Sequence, residues 1–236
     1  MEEYYLDRQN RTRVGQYLTT IEGDFISECL QQEIAVHSIL DVGGGTGRFA
    51  IPLHNKGYQV TITEVQLLPL RHLKAKSPHI DAVLTSRQAR FWPIKGFAVD
   101  CVLAIEVPMV YNAWFWQECR RVLRPGGIVI LSVLNARSYK GALYKMRWIL
   151  KPFLSERGKR WATGRFYTMP ARTVVQMLEA EGFRLCQAMG FNWLPAGRIS
   201  DFSLIPLLAT VEEKLRLRNL AFQSPWVILK ASLHLA

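Results

Sequence analysis

The chain alternates between short apolar runs and longer stretches in which apolar residues recur every three or four positions. Val14, Leu18, Ile21, Phe25 and Cys29 follow that helical period and predict an amphipathic helix over 11–34. His37 to Val42 is a compact apolar run ending in glycines, the pattern of a strand buried on both faces. A helix is predicted over 46–56, closed by Gly57, with Pro52 as an awkward break inside it. Strands follow at 58–63, 79–84, 98–105 and 128–134, with helices at 67–76 and 114–123 between them. Beyond them the pattern predicts a helix over 138–154 and another over 170–181 ended by Gly182. A strand over 183–189, an apolar and basic helical stretch over 203–220 and a last strand over 226–231 complete it. The alternation predicts an α/β fold: a doubly wound, mostly parallel, seven-stranded sheet with helices on both faces. No repeat, low-complexity stretch or linker divides the chain.

Composition agrees with a packed domain. Of 236 residues, 49% are hydrophobic and 21% charged, which excludes a mostly disordered chain. No apolar run approaches the ~18–20 residues of a membrane span. Met1-Glu2-Glu3 does not read as a secretory signal, so a cytoplasmic location is expected. Cys29, Cys101, Cys119 and Cys186 are widely spaced with no CxxC, which predicts reduced thiols and no metal site.

Charge changes the picture more. The net charge is +11, and residues 136–165 hold nine Lys/Arg and one acid, so +8 sits in 30 residues. The predicted helix there carries Tyr139, Leu143, Met146, Ile149 or Leu150 and Phe153 on one stripe, with Lys140, Lys145, Arg147 and Lys151 off it. An anionic small substrate, an anionic membrane surface, RNA, or simple solvation of a basic face would each account for it.

Chemistry concentrates at Asp41-Val42-Gly43-Gly44-Gly45-Thr46-Gly47, between the first strand and the next helix. Glycines there let a ligand lie against the main chain. An acid just before them suits a positive amino group and not a pyrophosphate. The dinucleotide register G-x-G-x-x-G also fails, because Arg48 stands where the third glycine belongs. Glu64 ends the next strand, where an acid can accept hydrogen bonds from both ribose hydroxyls, or simply favour a helix N-terminus. Together the two features point to an adenosine ligand.

These residues resemble the class I S-adenosylmethionine-dependent methyltransferases, of the small-molecule branch. Ile39 to Gly47 is similar to the first motif, Tyr58 to Glu64 to the second strand and its ribose acid, and Ala89-Arg90-Phe91-Trp92-Pro93 to the segment after strand three. Val99-Asp100-Cys101-Val102 is similar to the start of strand four, Arg121 to Gly127 to the turn before strand five, and Glu181-Gly182-Phe183 to the start of strand six. The resemblance implies a Rossmann-like domain over 1–236, with a cofactor-binding core at 1–135, a basic helical cap insertion at 136–168, and the rest of the sheet at 169–236 with an inserted helix near 203–220. It implies that Asp41 helps hold the cofactor's amino group, Gly43, Gly45 and Gly47 approach its methionine portion, Glu64 binds the ribose hydroxyls, and Val65 packs beside the adenine. Gln88 stands where the family has an acid toward the adenine amino group, next to Ala89, and a side-chain amide oxygen accepts the same bond.

Ile105 and Glu106 would lie near the sulfonium and the acceptor. Glu106 is the best-placed candidate base, with a contacting role as the alternative. His37, His54, His72, His79 and His234 read as surface or packing residues, while Tyr111, Trp114 and Trp116 are candidates for lining a substrate pocket or for core. The implied reaction is displacement at the methyl carbon by a small-molecule nucleophile, with an anionic or a lipid-linked acceptor as the expectations for its identity. A peripheral membrane contact through 136–165 is a further expectation. A cofactor-binding partner protein without catalysis is the alternative. RNA is the least favoured acceptor: Ile105-Glu106-Val107-Pro108 replaces the motif of amino-directed nucleic-acid enzymes.

Overall fold

The computed structural model describes residues 4–33, 35–153 and 169–234. The strands are β1 (Ser38–Val42), β2 (Gln59–Glu64), β3 (Asp81–Leu84), β4 (Val99–Ala104), β5 (Leu123–Leu134), β6 (Phe183–Phe191) and β7 (Trp226–Leu233). They form one sheet in the order β3-β2-β1-β4-β5-β7-β6. Pairs from β3 to β5 are parallel, and β7 runs antiparallel to both β5 and β6. This is the mostly parallel seven-stranded sheet that the alternation predicts.

The helices are α1 (Tyr5–Arg11), α2 (Arg13–Gln31), α3 (Ala50–Asn55), α4 (Leu67–Lys76), α5 (Ala113–Val122), α6 (Tyr139–Leu150), α7 (Ala171–Ala180) and α8 (Ile205–Lys214). Successive strand residues point to opposite faces, so each central strand feeds two cores. Ile39, Cys101, Leu103, Ile128 and Ile130 pack with Leu18, Phe25, Leu53 and Leu73 of α2, α3 and α4. Leu40, Val102, Ala104, Val129 and Leu131 pack with Phe115, Trp116, Val174 and Leu178 of α5 and α7. Continuous apolar strand runs are the consequence of that double burial.

Several boundaries differ from the pattern, each for a local reason. The helix expected over 11–34 begins at Arg13, because the Thr12 side chain accepts from Gly15 N and caps it; α1 precedes it as a separate helix. The helix expected over 46–56 begins at Ala50, since the glycine turn consumes the residues before it. Pro52 therefore falls in the first turn, where a missing N–H costs nothing. The stretch expected over 203–220 is helical only over Ile205–Lys214. Arg216 adopts a left-handed φ of 50° and short 3-10 turns follow. The segment expected as a cap, 136–168, contains α6 and a 3-10 turn over Lys151–Phe153, and 154–168 lies outside the described residues.

Strand order reverses between β1 and β4, which opens a crevice at their carboxyl ends. Two connections stand near it: α6 after β5, and residues 192–225 between β6 and β7. They are joined, since Lys140 Nζ donates to Asn192 Oδ1 (2.7 Å) and the Ala196 carbonyl (3.1 Å), and the Tyr139 hydroxyl reaches the Trp193 and Leu194 carbonyls at 2.8 and 3.1 Å.

At the opposite end Asp100 locks β1 against β4. Its carboxylate accepts from His37 N (3.0 Å), Ser38 N (2.8 Å), Ser38 Oγ (2.7 Å) and Arg124 Nη1 (2.5 Å). Burial pushes its pKa up, but the bonds from Arg124, Ser38 and His37 outweigh it and hold the group at about 2. A depressed carboxylate stabilises the fold above its unfolded pKa of ~3.9, and that stabilisation is lost as pH falls through the folded value. Asp100→Ala is therefore expected to cost about 1–3 kcal/mol at pH 7. In denaturant titrations the gap to the parent protein narrows as the pH drops from 5 toward 2; a gap independent of pH contradicts this assignment.

Candidate functional site

The glycine turn after β1 exists because the backbone there is left-handed: Gly43, Gly45 and Gly47 have φ of 69°, 57° and 87°. Gly43 N donates to the Thr63 carbonyl at 2.7 Å, tying the turn to β2. A Cβ on Gly43 would sit 2.5 Å from Val107 Cγ1, whereas one on Gly45 would meet nothing nearer than 4.0 Å. The turn thus packs tightly toward β4 and lies open beside Gly45.

Asp41, at the end of β1, is buried, and its Oδ2 lies close under Gly44, where a Cβ would stand 2.6 Å away. Its carboxylate makes no hydrogen bond to another described residue. Burial raises its pKa to about 7, with Arg48 pulling the other way. A buried acceptor without a donor, beside an open glycine turn, fits a ligand that brings a positive amino group. S-adenosylmethionine has such a group, so the residues fit the cofactor the sequence implies.

The other expected residues line up along the same edge. Glu64 ends β2, which pairs with β1 through Asp41 and Ile62. Its Oε1 accepts from Val65 N (2.7 Å) and Gln66 N (3.0 Å), which fixes the carboxylate over the turn between β2 and α4. Val65 is half-buried beside it. Gln88 and Ala89 are in the loop after β3, where Gln88 is exposed and its Oε1 accepts from Ser86 Oγ at 2.7 Å. Ile105 is buried beyond β4, and Glu106 follows with a left-handed φ of 60° and its N–H on Ser132 Oγ (2.8 Å). Trp116 is fully buried among Phe115 and Phe183, so it is core and not pocket lining. Trp114 packs on Trp92, and the Tyr111 hydroxyl accepts from Leu134 N (2.9 Å), tying the loop after β4 to β5.

The structure adds three residues that the sequence reading missed: Glu22, Arg48 and Arg198. Arg198, from the β6–β7 connection, is buried. Its Nη1 donates to Asn10 Oδ1 (3.2 Å), the Gly15 carbonyl (3.2 Å) and Thr19 Oγ1 (3.1 Å), and its Nη2 to Glu22 Oε2 (3.0 Å) and Glu106 Oε1 (2.5 Å). Arg48 pairs with Glu22 at 3.1 Å and with Glu106 at 3.8 Å. Glu22 has no exposure; burial raises its pKa and the two arginines oppose the rise. The signal for Glu22 was present, since it is an acid on the buried stripe between Leu18 and Phe25. Arg198 lies in an aperiodic loop that gave none.

The segment around α1 closes the other side. Tyr4 OH reaches Gln66 Oε1 (3.4 Å), and Asp7 accepts from Thr46 Oγ1 and from Lys76 Nζ, each at 2.6 Å. It therefore bridges the glycine turn and both ends of α4. Among the described residues no helix is long and apolar enough to cross a membrane.

Residues 39–127 match the family described as "Methyltransferase domain". The chain is 26% identical to the ubiquinone biosynthesis O-methyltransferase of Roseobacter denitrificans over 86% of its length and 85% of the relative's. A SAM-dependent methyltransferase structure from Archaeoglobus fulgidus superposes with a TM-score of 0.60 at 13% identity, covering 98% of this chain and 100% of that one. One from Methanosarcina mazei gives 0.61 at 15% identity over 88% and 98%. At those identities the structural likeness speaks for the fold alone.

Removing one partner from a buried ion cluster leaves an uncompensated charge, which costs about 3–5 kcal/mol. Arg198→Ala is expected to lose that much in urea unfolding, and a Glu22→Leu/Arg198→Met double variant to recover most of it. Losses that simply add would show that the two side chains do not act as a pair.

Proposed function

We propose that this chain, which belongs to the class I S-adenosylmethionine-dependent methyltransferases, moves the methyl group onto a hydroxyl oxygen of a small amphipathic acceptor with an apolar tail, met at an anionic lipid surface. The choice of oxygen and of a lipid-linked acceptor draws support from the Roseobacter relative, whose name specifies O-methyl transfer in ubiquinone biosynthesis.

The observation that carries the lipid part is the surface of α6 and the turn after it. Trp148, Ile149 and Phe153 are 64%, 65% and 86% exposed, with Leu143 and Met146 also exposed. Lys145, Arg147 and Lys151 are interspersed with them, and no acid occurs from 136 to 155. Exposed aromatic and aliphatic side chains mixed with bases suit a helix lying among anionic headgroups, where each Lys or Arg near the surface adds about 1 kcal/mol. Leu204, Leu207, Val211 and Leu215 extend the exposed apolar surface on and around α8.

Bound S-adenosylmethionine supplies an activated methyl group on a positively charged sulfur. The chain's own part is to hold and orient. Asp41 would hold the amino group, the backbone of Gly43, Gly45 and Gly47 would lie beside the methionine portion, and Glu64 would take the ribose hydroxyls. Val65, Gln88 and Ala89 flank the adenine end. Ile105 and Glu106 face the reacting centre, where Glu106 accepts a hydrogen bond from the acceptor hydroxyl. Holding the acceptor hydroxyl in one orientation beside the bound cofactor would contribute up to ~7–11 kcal/mol of rate enhancement.

The reading is tested with methyl-labelled S-adenosylmethionine and a phenol bearing a long isoprenoid tail, in phosphatidylglycerol or phosphatidylcholine vesicles. The protein is expected to sediment with the anionic vesicles and to label the phenol there. Trp148→Asp/Ile149→Asp should abolish sedimentation and keep activity on a short-tailed phenol in solution. A protein that sediments with neither vesicle, or labels only tail-free acceptors, removes the lipid part of the proposal.

A further inference from the structure

A cavity of about 240 Å³ lies beyond the end of β5, where α7 starts and the 3-10 turn Ala221–Gln223 passes. Arg137, Pro170, Arg172, Phe222 and Gln223 are among its walls, with Asn135 between them. Asn135 is buried and uses both ends of its amide. Its Nδ2 donates to the Phe222 carbonyl (2.8 Å) and the Ser224 carbonyl (3.1 Å), and its Oδ1 accepts from Arg137 N (3.1 Å) and Ala171 N (3.2 Å). One buried side chain therefore fixes all three segments that build the cavity.

The walls carry charge of one sign. Arg137 and Arg172 line the cavity and no carboxylate does. Among the described residues neither guanidinium has an ion pair or a hydrogen bond. Arg172 instead lays its guanidinium over the Phe222 ring, 4.8 Å from the centroid. Stacking of that kind holds the group against the wall and leaves its N–H edge for bonds in its own plane. Two cations facing one cavity repel each other, and an anion that takes a bond from each removes the repulsion. The charge does not come from the helix start, because the Ala171 N–H is already taken by Asn135 Oδ1.

We propose that this cavity binds a phosphate group, held by Arg137 from the end of β5 and by Arg172 from α7. A guanidinium bonds two phosphate oxygens at once, and a tetrahedral phosphate presents such edges in more than one plane, so guanidiniums on two walls can each take one. A planar carboxylate offers a single edge. The site is separate from the crevice at the end of β1: no residue of the glycine turn lines it, and neither Glu64 nor Glu106 does. It therefore stands without the methyl-transfer reading. Arg137 immediately precedes Ser138, whose side chain caps α6, so the phosphate sits at the foot of that helix. A lipid headgroup and a soluble phosphate share this chemistry.

Calorimetry of the full chain with inorganic phosphate, in a buffer free of other oxyanions, tests the proposal. The parent protein is expected to bind with a dissociation constant of about 1 mM or tighter, the range of two charge-assisted contacts. Arg137→Gln/Arg172→Gln changes only exposed side chains and should weaken binding by at least ~10-fold. Arg120→Gln/Arg184→Gln removes as much charge from exposed positions outside the cavity and should leave binding unchanged. Sedimentation with phosphatidylcholine vesicles carrying either phosphatidic acid or oleate, at equal surface charge, assigns the source. A preference for phosphatidic acid that Arg137→Gln/Arg172→Gln loses identifies a lipid phosphate; no preference, or one the variant keeps, identifies a soluble one. A parent protein that binds no inorganic phosphate overturns the proposal. So does a cavity variant that binds it as the parent or the Arg120→Gln/Arg184→Gln control does.

Discussion

A carboxylate removed from water keeps its charge only beside a cation, and Glu22 is fully buried. The Glu22–Arg198–Glu106–Arg48 cluster answers that constraint, and the arrangement of the open end follows from it. Arg198 can reach Glu22 only if the β6–β7 connection folds back against the start of α2. That approach is secured by Thr12 Oγ1 on the Arg198 carbonyl and by Val14 N on the Ser200 carbonyl. Glu106 can reach Arg198 only from a left-handed backbone at the end of β4, and Ser132 of β5 holds its N–H there. Four segments far apart in the chain are thereby fixed around one crevice. The cost is several polar atoms without partners, including Glu22 Oε1 and Arg198 Nε.

The two ends of the sheet use their carboxylates differently. Asp100, at the amino ends of β1 and β4, is surrounded by donors and held at about 2, so it behaves as a permanent anion that fastens two strands. Asp41, at the carboxyl end of the same strand β1, has no donor among the described residues and sits at about 7. The same residue type is spent on structure at one end of the sheet and left unsatisfied at the other. That unsatisfied acceptor, set against an open glycine turn at the point where strand order reverses, makes the end of β1 the candidate ligand site.

Much of this could be read from residue order. Double-face burial leaves an unmistakable trace in strands such as Val99–Ala104, and the glycine turn announces itself because left-handed backbone favours glycine. Helix starts were less legible: at Thr12 and Ala50 a side-chain cap and a turn decided the boundary, and neither alters hydrophobic spacing. The end of α8 turned on the single left-handed residue Arg216, which no periodicity reveals. Within the site, Asp41 and Glu64 were visible because they end strands. Arg198 was not, because its partners Glu22 and Glu106 lie 176 and 92 positions away. The basic stretch looked like one feature, yet its described part, α6, divides: Lys140 is anchored to Asn192 and Ala196, while Trp148 and Ile149 face outward.

The central claim is that the Asp41 carboxylate awaits a cationic amino group. Affinity for S-adenosylhomocysteine measured by calorimetry from pH 6 to pH 8 tests it most directly. Asp41 is protonated below about 7 and charged above it, and only the charged form attracts the ammonium. Affinity is therefore predicted to rise through that interval in the parent protein and to be weaker and flat in Asp41→Asn. Equal affinities with the same pH dependence in both proteins would contradict the account.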